Sequence, residues 1–273
     1  MLKPAQNHRP VLKNSREIAL MREAGQLVVK ALTLARSMAQ PGVKTIDIDH
    51  AVEELYRQHD ATPLFKGYNP GKVPFPAATC ISLNEQVVHG IPGQRVLRPG
   101  DLVKIDTACR LNGWCGDAAI CFPIGEVSPE IKRLIRVAEE TLQLALRELP
   151  RRRWWSEVAA AMSQYVASQG FSTVEKFVGH GIGRVMHEPP QVPNYTSREM
   201  RQQDFRLEPG LTLAIEPMVN MGRKEVIELP DHWTVMTRDR LPCAHVEHSV
   251  ALTAEGVVVL TEGLHGYERQ PTA

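Results

Sequence analysis

The chain has 273 residues, of which 43% are hydrophobic and 23% charged, the proportions of an ordinary globular protein. Its 32 lysines and arginines nearly balance its 31 aspartates and glutamates, so overall charge favours neither nucleic acid nor an anionic membrane as a partner. Five cysteines without Cys-x-x-Cys spacing argue against a disulfide framework or a zinc ribbon. The charged amino terminus is unlike a signal peptide and no apolar run could span a membrane, so we expect a cytoplasmic protein.

Two helices are predicted at the start of the chain. The first begins at Ser15, a favourable N-cap residue, and ends before Pro41 and Gly42. Apolar residues recur within it at helical steps of three and four: Ile18, Met21, Gly25, Val28, Leu32 and Ala35. The second helix begins at Thr45 and also carries one apolar stripe. After a loop rich in glycine and proline, three extended segments are predicted: Ala78–Leu83, Leu102–Cys109 and Trp114–Pro123.

The same order of elements then recurs. Ser128 as N-cap, Pro129 at the first helical position and Glu130 in the first turn predict a third helix. A fourth helix is predicted from Ser156 to about Gln169. Further extended segments follow: Phe171–Val178, Leu211–Pro217, Thr234–Thr237, Ala244–Thr253 and Val257–Thr261.

Two helices followed by strands, twice over, predict an α+β fold built from two similar halves with antiparallel strands. We place the halves at about 15–123 and 124–261, within a single domain over 1–273 that ends in a short carboxy-terminal tail. A functional site could lie between the halves.

The first candidate site residues flank a predicted hairpin. Asn112 and Gly113 between two apolar runs are a strong hairpin signal, and a two-residue turn there places Asp106 opposite Ala119. Asp117 then points to the same face, with the two carboxylates on diagonal positions whose Cα atoms lie about 7–8 Å apart. Two acids on an apolar strand face repel each other unless a cation lies between them. The alternative is that one acid is exposed or the turn is bulged.

The second half adds two glutamates and a histidine. Glu216 and Glu247 lie in apolar extended segments, which suggests a buried functional role; the alternative is a charge on an edge strand. His180 lies among glycines, which would let a ligand approach; the alternative is a structural role. Four carboxylates with one imidazole suit manganese, iron(II), cobalt or zinc, and two divalent ions would balance their charge. His89 and His187 lie close in sequence to this set, each near glycine or proline and so in a predicted loop. They are either functional residues or ordinary surface histidines.

Six motifs together identify a family: NEQVVHGIPG, GDLVKID, GWCGDAA, GHGIGRVMHEPP, LAIEPMV and HVEHSV. The chain resembles type I methionine aminopeptidase in its short bacterial form, from Arg22 to about Thr261. The resemblance implies the pita-bread (creatinase/aminopeptidase) fold, with pseudo-symmetric halves and an antiparallel sheet covered by helices. It also implies one metallo-aminopeptidase catalytic domain, which removes the N-terminal methionine of nascent proteins and peptides when the second residue is small and uncharged.

The resemblance assigns roles to residues of this chain. It implies that two divalent metal ions (Co, Mn, Fe(II), Zn or Ni) are bound, with Asp117 and Glu247 touching both, by Asp106, Asp117, His180, Glu216 and Glu247. His89 and His187 would contact the substrate and take part in catalysis, and Glu216 would transfer protons to and from the attacking water.

The resemblance also implies a pocket for the methionine side chain, lined by Phe65, Tyr68, Phe75, Cys80, Met186 and Trp233. Three features depart from the family pattern. Met186 stands where many members have an aromatic residue, the 68–75 loop is longer, and His245 replaces a common glutamine. For the loop aromatics, the alternative is ordinary loop packing.

Two other functions compete with this interpretation. An Xaa-Pro-type peptidase of the same fold typically carries an additional amino-terminal domain, for which the 14 residues before the first helix leave no room. A non-catalytic relative that binds RNA or a ribosome is expected to lose metal ligands. The expected partners are N-terminal methionyl peptides and nascent chains, with no membrane and a monomeric state. A transient ribosome contact could use Arg151–Arg153, which is otherwise a solvated linker.

Overall fold

The computed structural model describes residues 10–264. The first nine residues of the charged amino terminus and most of the predicted carboxy-terminal tail lie outside the described residues. The α-helices of the described range are α1 (Ser15–Met38), α2 (Thr45–Gln58), α3 (Pro129–Glu148), α4 (Trp155–Ser168) and α5 (Arg198–Gln202), and a short 3₁₀ helix spans Leu149–Arg151. The strands are β1 (Thr62–Pro63), β2 (Thr79–Leu83), β3 (Gln86–Val88), β4 (Leu102–Leu111), β5 (Trp114–Pro123), β6 (Ser172–Thr173), β7 (Gly179–Gly181), β8 (Glu188–Val192), β9 (Thr212–Ile215), β10 (Met218–Asn220), β11 (Val226–Glu228), β12 (Val235–Thr237), β13 (Cys243–His245), β14 (Glu247–Thr253) and β15 (Gly256–Val259).

Side-chain caps start two of the predicted helices, α1 and α3. The prediction that Ser15 is the N-cap of α1 is wrong by one position, because Asn14 is the cap and Ser15 is the first helical residue. The Asn14 side chain accepts a hydrogen bond from the Glu17 N–H at 3.0 Å, and the Glu17 carboxylate accepts one from the Asn14 N–H at 3.0 Å. This reciprocal capping box satisfies two otherwise unpaired donors. The Ser128 cap of α3 is confirmed, since its hydroxyl accepts a hydrogen bond from the Ile131 N–H at 3.3 Å.

α4 begins at Trp155, one residue before the predicted start. The reason is a cap from inside the helix: the Glu157 carboxylate accepts hydrogen bonds from the N–H groups of Arg153 at 3.0 Å and Trp154 at 2.9 Å. All three arginines of the 151–153 run are exposed in the connection before this helix. Arg152 bonds to the Glu148 carboxylate at 2.6 Å, so one member of this exposed run has an intramolecular ion pair.

The strands form one nine-stranded sheet and two three-stranded sheets within the described range. The main path of the large sheet runs β1-β4-β5-β14-β9-β7-β8, with β2 beside β4 and β15 beside β14. Every pairing among the named strands is antiparallel. The predicted α+β class with antiparallel strands is therefore confirmed. No helix between residues 10 and 264 is long and apolar enough to cross a membrane.

The central hairpin of the large sheet has the predicted register. β4 and β5 pair so that Asp106 lies opposite Ala119 and Ala108 opposite Asp117. The turn residues Asn112 and Gly113 have φ values of 51° and 81°, the left-handed conformation that a two-residue type I′ turn requires. Both carboxylates consequently project from one face of the hairpin.

The two helix pairs cover mainly the strands of their own halves. One core joins α1 and α2 to the hairpin through the residues that alternate with the aspartates, among them Val103, Ile105, Ala118 and Ile120. A second core joins α3 and α4 mostly to later strands, among them residues Leu213, Ile215, Val250 and Leu252. Because side chains alternate along a strand, burying Ile105 under the helices directs Asp106 to the opposite face.

At two places the chain passes from one sheet to another between consecutive strands, and these two places lie side by side. β9 belongs to the large sheet and β10 to a small one, and the break between them holds Glu216 and Pro217. β13 belongs to the small sheet and β14 to the large one, with the break at Val246. The predicted continuous strands Leu211–Pro217 and Ala244–Thr253 are therefore each interrupted. Glu216 and Glu247 lie at this corner, where the backbone turns from one sheet to the other.

Other local predictions are wrong for similar reasons. Of the extended segment predicted over Phe171–Val178, only β6 is a strand, because it pairs with the short β10 alone. β3 is not predicted by its short apolar run, and it exists through pairing with β12. α5 is likewise not predicted from its polar sequence, and it has a Ser197 cap that accepts a hydrogen bond from the Met200 N–H at 3.2 Å.

The contact between α1 and β5 depends on two glycines. A Cβ atom added to Gly116 would lie 2.6 Å from the backbone nitrogen of Gly25, and one added to Gly25 would lie 2.5 Å from the carbonyl oxygen of Leu260. Backbone atoms occupy both positions, so neither neighbour can rotate away. The absence of a side chain at Gly116 allows α1 to lie directly on β5, and its absence at Gly25 allows α1 to lie against Leu260, just after β15.

We expect Gly116→Ala to lower the free energy of unfolding by about 1–3 kcal/mol, because the added methyl group must push α1 away from the sheet. Urea denaturation measures this change. The matched control is Gly71→Ala, at a position where an added Cβ meets nothing within 4 Å, and it should change stability by less than about 0.5 kcal/mol. Equal stability of the two variants would contradict the packing argument.

Candidate metal centre and substrate cavity

Five neighbouring strands of the large sheet each supply one predicted ligand. In the order of the strands, β4, β5, β14, β9 and β7, these are Asp106, Asp117, Glu247, Glu216 and His180. Glu247 is the first residue of β14 and lies opposite Ala119, while Glu216 follows the last residue of β9 directly. The sheet thus brings together all five residues selected from the sequence.

The side chains of this set converge on a small volume. The Nε2 atom of His180 lies 3.8 Å from Asp117 Oδ2 and 3.8 Å from Glu216 Oε1. One ligand atom each from Asp117, His180 and Glu247 lies within 4.8 Å of the other two. Three buried carboxylate oxygens have no hydrogen-bond partner among the described residues: Asp106 Oδ1, Asp117 Oδ1 and Glu247 Oε1. Buried acceptors without a hydrogen-bond partner beside a neutral imidazole fit a bound cation.

Burial and mutual repulsion oppose ionisation of these carboxylates. Desolvation raises the pKa of Asp117 to about 7. The pKa values of the remaining three acids are raised well above the usual range, first by burial and then by the neighbouring carboxylates: Asp106, Glu216 and Glu247. Four such acids cannot all be ionised at neutral pH without positive charge among them. The donor set of carboxylates and one imidazole therefore fits divalent transition-metal ions.

A hydrogen bond fixes the orientation of His180. Its Nδ1 atom lies 3.0 Å from the Gly181 carbonyl oxygen, to which it donates its proton, so Nε2 faces the carboxylates as a bare lone pair. Burial lowers the pKa of His180 to about 3, with a further contribution from the neighbouring His187. The ring is consequently neutral at pH 7, the state in which an imidazole binds a metal.

A cavity of about 830 Å³ opens beside the carboxylates. Its walls include all six residues predicted for the methionine pocket: Phe65, Tyr68, Phe75, Cys80, Met186 and Trp233. Phe75 and Trp233 meet edge to face with ring centroids 5.1 Å apart, and Met186 is buried. Aromatic rings with a thiol and a thioether form the kind of apolar, polarisable wall that suits a thioether side chain.

The glycine- and proline-rich loop that carries Tyr68 and Phe75 is closed at its base. The Gly67 N–H donates to the Phe75 carbonyl oxygen at 2.8 Å, and the Phe75 N–H donates to the Tyr68 carbonyl oxygen at 2.9 Å. The Trp233 indole N–H, from a distant part of the chain, donates to the Val73 carbonyl oxygen at 3.0 Å. These bonds hold the aromatic wall in place.

His89 and His187 also line the cavity. His187 is exposed at its mouth, where its ring lies edge to face with that of His180 at a centroid distance of 4.4 Å. The Tyr68 hydroxyl lies 2.9 Å from His187 Nδ1, which leaves Nε2 for other partners. His89 contacts the Trp233 ring at 6.1 Å between centroids, and burial lowers the pKa of His89 to about 4. Both rings therefore border the space between the carboxylates and the aromatic wall.

Sequence reasoning missed several residues that contact the site. Asn194 is buried and its Nδ2 donates to the Glu216 carbonyl oxygen at 3.0 Å, so it supports the backbone at the sheet corner. Phe177 meets His89 edge to face at a centroid distance of 5.4 Å. No local pattern in the sequence links these pairs. His245, which departs from the family pattern, is buried with its Nε2 atom 3.8 Å from Glu216 Oε2.

Comparison with known proteins gives the same family along most of the chain. Residues 19–254 match metallopeptidase family M24. The chain is 42% identical to methionine aminopeptidase 1 of Bacillus subtilis over 251 residues, which cover 92% of this chain and 98% of that protein. It is 44% identical to the methionine aminopeptidase of Clostridium perfringens, with the same coverage.

Solved structures separate two groups of relatives. The methionine aminopeptidase of Thermotoga maritima matches with a TM-score of 0.86 and 37% identity, covering 93% of this chain and 99% of that one. The prolidase of Pyrococcus horikoshii matches with a TM-score of 0.73 and 20% identity, covering 94% of this chain but 65% of that one. The second likeness concerns the fold alone, and together they confirm the expected pita-bread arrangement.

The raised pKa values predict an unusual pH dependence for the metal-free protein. An acid whose pKa is higher in the folded than in the unfolded state stabilises the fold while protonated, and this contribution is lost as pH rises through the folded pKa. For Asp117 this loss is complete near pH 7, its folded pKa, while Asp106, Glu216 and Glu247, whose pKa values are raised well above the usual range, extend the loss to higher pH. The melting temperature should therefore fall between pH 7 and pH 9 through these three acids. The histidines do not oppose this trend, since they are neutral in both states there. Differential scanning calorimetry measures it.

The matched control for this experiment is the same protein with excess divalent metal. Metal ligation requires the ionised carboxylates, so the loaded protein should melt higher and lose the downward slope. A metal-free protein whose melting temperature rises between pH 7 and pH 9 would contradict the assignment of these acids as a buried, mutually repelling set.

Proposed function

Because the chain belongs to the methionine aminopeptidases of metallopeptidase family M24, we propose that its buried carboxylates hold two divalent metal ions beside a methionine-binding cavity. The enzyme is a metal-dependent hydrolase that removes the N-terminal methionine from its substrates. One observation carries the site assignment: four carboxylates, of which Asp117 and Glu247 are buried, and one neutral imidazole line the same cavity as the aromatic, thiol and thioether side chains.

The ligands of the two ions are proposed to be Asp106, Asp117, His180, Glu216 and Glu247. Charge supports a pair of ions, since two divalent cations neutralise four carboxylates. Asp117 and Glu247 lie on the adjacent strands β5 and β14, between the strand that carries Asp106 and the strand that Glu216 follows. We propose that these two residues contact both ions. When bound, such ions supply a positive charge that polarises a carbonyl oxygen and lowers the pKa of a water.

Glu216 is proposed to move the proton in this reaction. Its side chain is 15% exposed, against 4% for Asp117, so solvent reaches it from the cavity more readily. It stands at the sheet corner beside Pro217, free of strand pairing on that side. A carboxylate in this position can accept a proton from the attacking water and return it to the departing amine.

The cavity is proposed to select the first two residues of the substrate. Methionine fills the apolar end, where Phe75, Cys80 and Trp233 pack together with Phe65. The acidic end attracts the free α-amine of a chain terminus, which an internal peptide bond lacks. His187 and His89 border the space between these ends and can donate hydrogen bonds to the substrate backbone or its developing oxyanion.

The Tyr68 hydroxyl supports this role for His187. Burial raises the pKa of Tyr68, so the phenol is protonated at pH 7 and can donate to Nδ1. A ring that accepts at Nδ1 keeps its proton at Nε2, the atom left to face the substrate. Tyr68 would then set the donor form of His187 as well as line the pocket.

The competing functions have weaker support. Solved proline-specific relatives share only 19–23% identity with this chain, so their similarity supports a shared fold and not a shared activity. A non-catalytic relative has no need of five converged ligands. The cytoplasmic location, the monomeric state and the ribosome contact stay predictions. The five cysteines are free thiols, which is compatible with a reducing compartment.

We expect free methionine to be released from Met-Ala and Met-Gly peptides, and expect a chelator to abolish the release. Formyl-Met-Ala should not be cleaved. Its acylated nitrogen carries no positive charge for the carboxylates and has no available lone pair for a metal ion. Met-Lys and Met-Trp should be poor substrates. Norleucine should replace methionine with a loss of about 10–200-fold at most, since one group in an apolar pocket discriminates weakly. Liquid chromatography of the released amino acid measures each case.

Ala-Pro is the comparison peptide for this panel. Faster cleavage of Ala-Pro than of Met-Ala would overturn the methionine assignment in favour of the proline-specific alternative. Cleavage of formyl-Met-Ala at the rate of Met-Ala would overturn the role given to the free amine.

His187→Ala and His89→Ala should each lower kcat by about 10²–10³-fold, the usual effect of one lost oxyanion donor. Metal content, measured by atomic emission, should stay at the wild-type level. Tyr68→Phe should lower kcat less, since it removes only the group that orients the ring. The control is His50→Ala, an exposed position on α2, which should change neither quantity. Loss of metal in His187→Ala would instead identify this residue as a ligand.

A further inference from the structure

A buried ion pair connects the segment before α1 to the loop that carries His187. The Nζ atom of Lys13 lies 2.5 Å from Glu188 Oε2, and the two side chains are only 3% and 9% exposed. Lys13 and Glu188 are 175 positions apart in sequence, so the pair closes a long-range contact. Neither residue is a proposed metal ligand or a predicted wall of the methionine pocket, although Glu188 borders the cavity.

Glu188 organises the turn that precedes it. Its Oε1 atom accepts a hydrogen bond from the Arg184 N–H at 2.8 Å, while Oε2 receives the Lys13 ammonium. One carboxylate thereby ties both ends of the 184–188 turn, which carries Met186 and His187. A carboxylate that receives both an N–H and an ammonium holds its position firmly, since charge-assisted bonds are the stronger class.

Gly183 leaves room for this ion pair. A Cβ atom added there would lie 2.4 Å from Glu188 Oε1 and 2.6 Å from Lys13 Cε. The last glycine of the Gly-His-Gly-Ile-Gly run therefore has a function of its own: it forms the floor under the Lys13–Glu188 contact. The sequence pattern around His180 thus serves both the candidate ligand and this support.

Lys13 is held independently of Glu188. Its backbone N–H donates to the Gly210 carbonyl oxygen at 2.7 Å, and its Nζ also donates to the Val11 carbonyl oxygen at 2.7 Å. The ammonium group is therefore a fixed point against which Glu188 is positioned. Removal of either charge would leave the other buried and without its counter-ion, a strongly unfavourable state.

We propose that Lys13 is a positioning residue, which orients His187 for the reaction by holding Glu188. This inference rests on the proposed function of the cavity. The adjacent position of Glu188 makes its carboxylate the anchor of the His187 backbone, and the T-shaped contact of His187 with His180 demands a fixed ring position. A shift of about 1 Å in a catalytic group can cost about 10²-fold in rate.

The test is Lys13→Met, which keeps the length of the side chain and removes its charge. With Met-Ala as substrate, kcat should fall at least tenfold while KM changes less than threefold and metal content is unchanged. Arg16→Met is the matched control, an exposed cation three positions further on, and it should leave all three quantities as in the wild type. A general loss of fold would not divide kcat from KM in this way.

A double-mutant cycle with His187→Ala tests the coupling directly. If Lys13 acts through His187, Lys13→Met should lower kcat by less than twofold once the imidazole is absent. A tenfold loss that persists in the His187→Ala background would overturn the proposal, as would a kcat for Lys13→Met within twofold of the wild type. If Lys13→Met does not fold, Glu188→Gln replaces it in the same cycle, since its amide oxygen can still accept the Arg184 N–H.

An NMR measurement keeps this proposal separate from the proposed function. The His187 ring signal, assigned by its loss in His187→Ala, should shift or broaden in Lys13→Met and stay unchanged in Arg16→Met. An unchanged ring signal in Lys13→Met would overturn the proposal whatever the activity. A wild-type protein that releases no methionine would instead contradict the proposed function, while the NMR result would still decide the role of Lys13.

Discussion

Four carboxylates line the same cavity close to one another, and their repulsion must be offset before all can be ionised. The rest of the molecule is arranged around this requirement. The helices cover the opposite face of the hairpin and so direct Asp106 and Asp117 away from themselves. His180 adds a neutral ligand and no charge, which leaves the imbalance to be met by bound cations.

The corner between the large and small sheets explains how two glutamates enter this set. In the middle of a paired strand, the face to which a glutamate points is fixed by the alternation of side chains along the strand. Glu216 and Glu247 avoid that limit because each stands where its strand leaves one sheet and meets the other. Asn194 bonds the carbonyl oxygen of Glu216 there, so the break in pairing is supported by a side chain. The change of sheet is thus part of the site and not merely a connection.

The predictable parts of the fold were those set by nearby residues. The Asn112-Gly113 turn determines the register of β4 and β5, which is why the shared face of Asp106 and Asp117 follows from sequence alone. The breaks at Glu216 and at Val246, where the chain passes from one sheet to another, do not follow from the sequence, because they depend on which distant strands are available for pairing. The Lys13–Glu188 pair is hidden for the same reason, since no periodicity relates a residue before the first helix to a loop far along the chain.

The loop over 67–76 and the central hairpin differ in how they respond to insertions and deletions. The loop is closed by main-chain bonds between Gly67, Tyr68 and Phe75, so residues can be added beyond this base without moving the two aromatic side chains. One residue inserted within β5 would turn its later side chains to the other face, because strands alternate with a period of two. Length variation at the loop can therefore reshape the cavity entrance, whereas the hairpin accepts substitution but not a change of length.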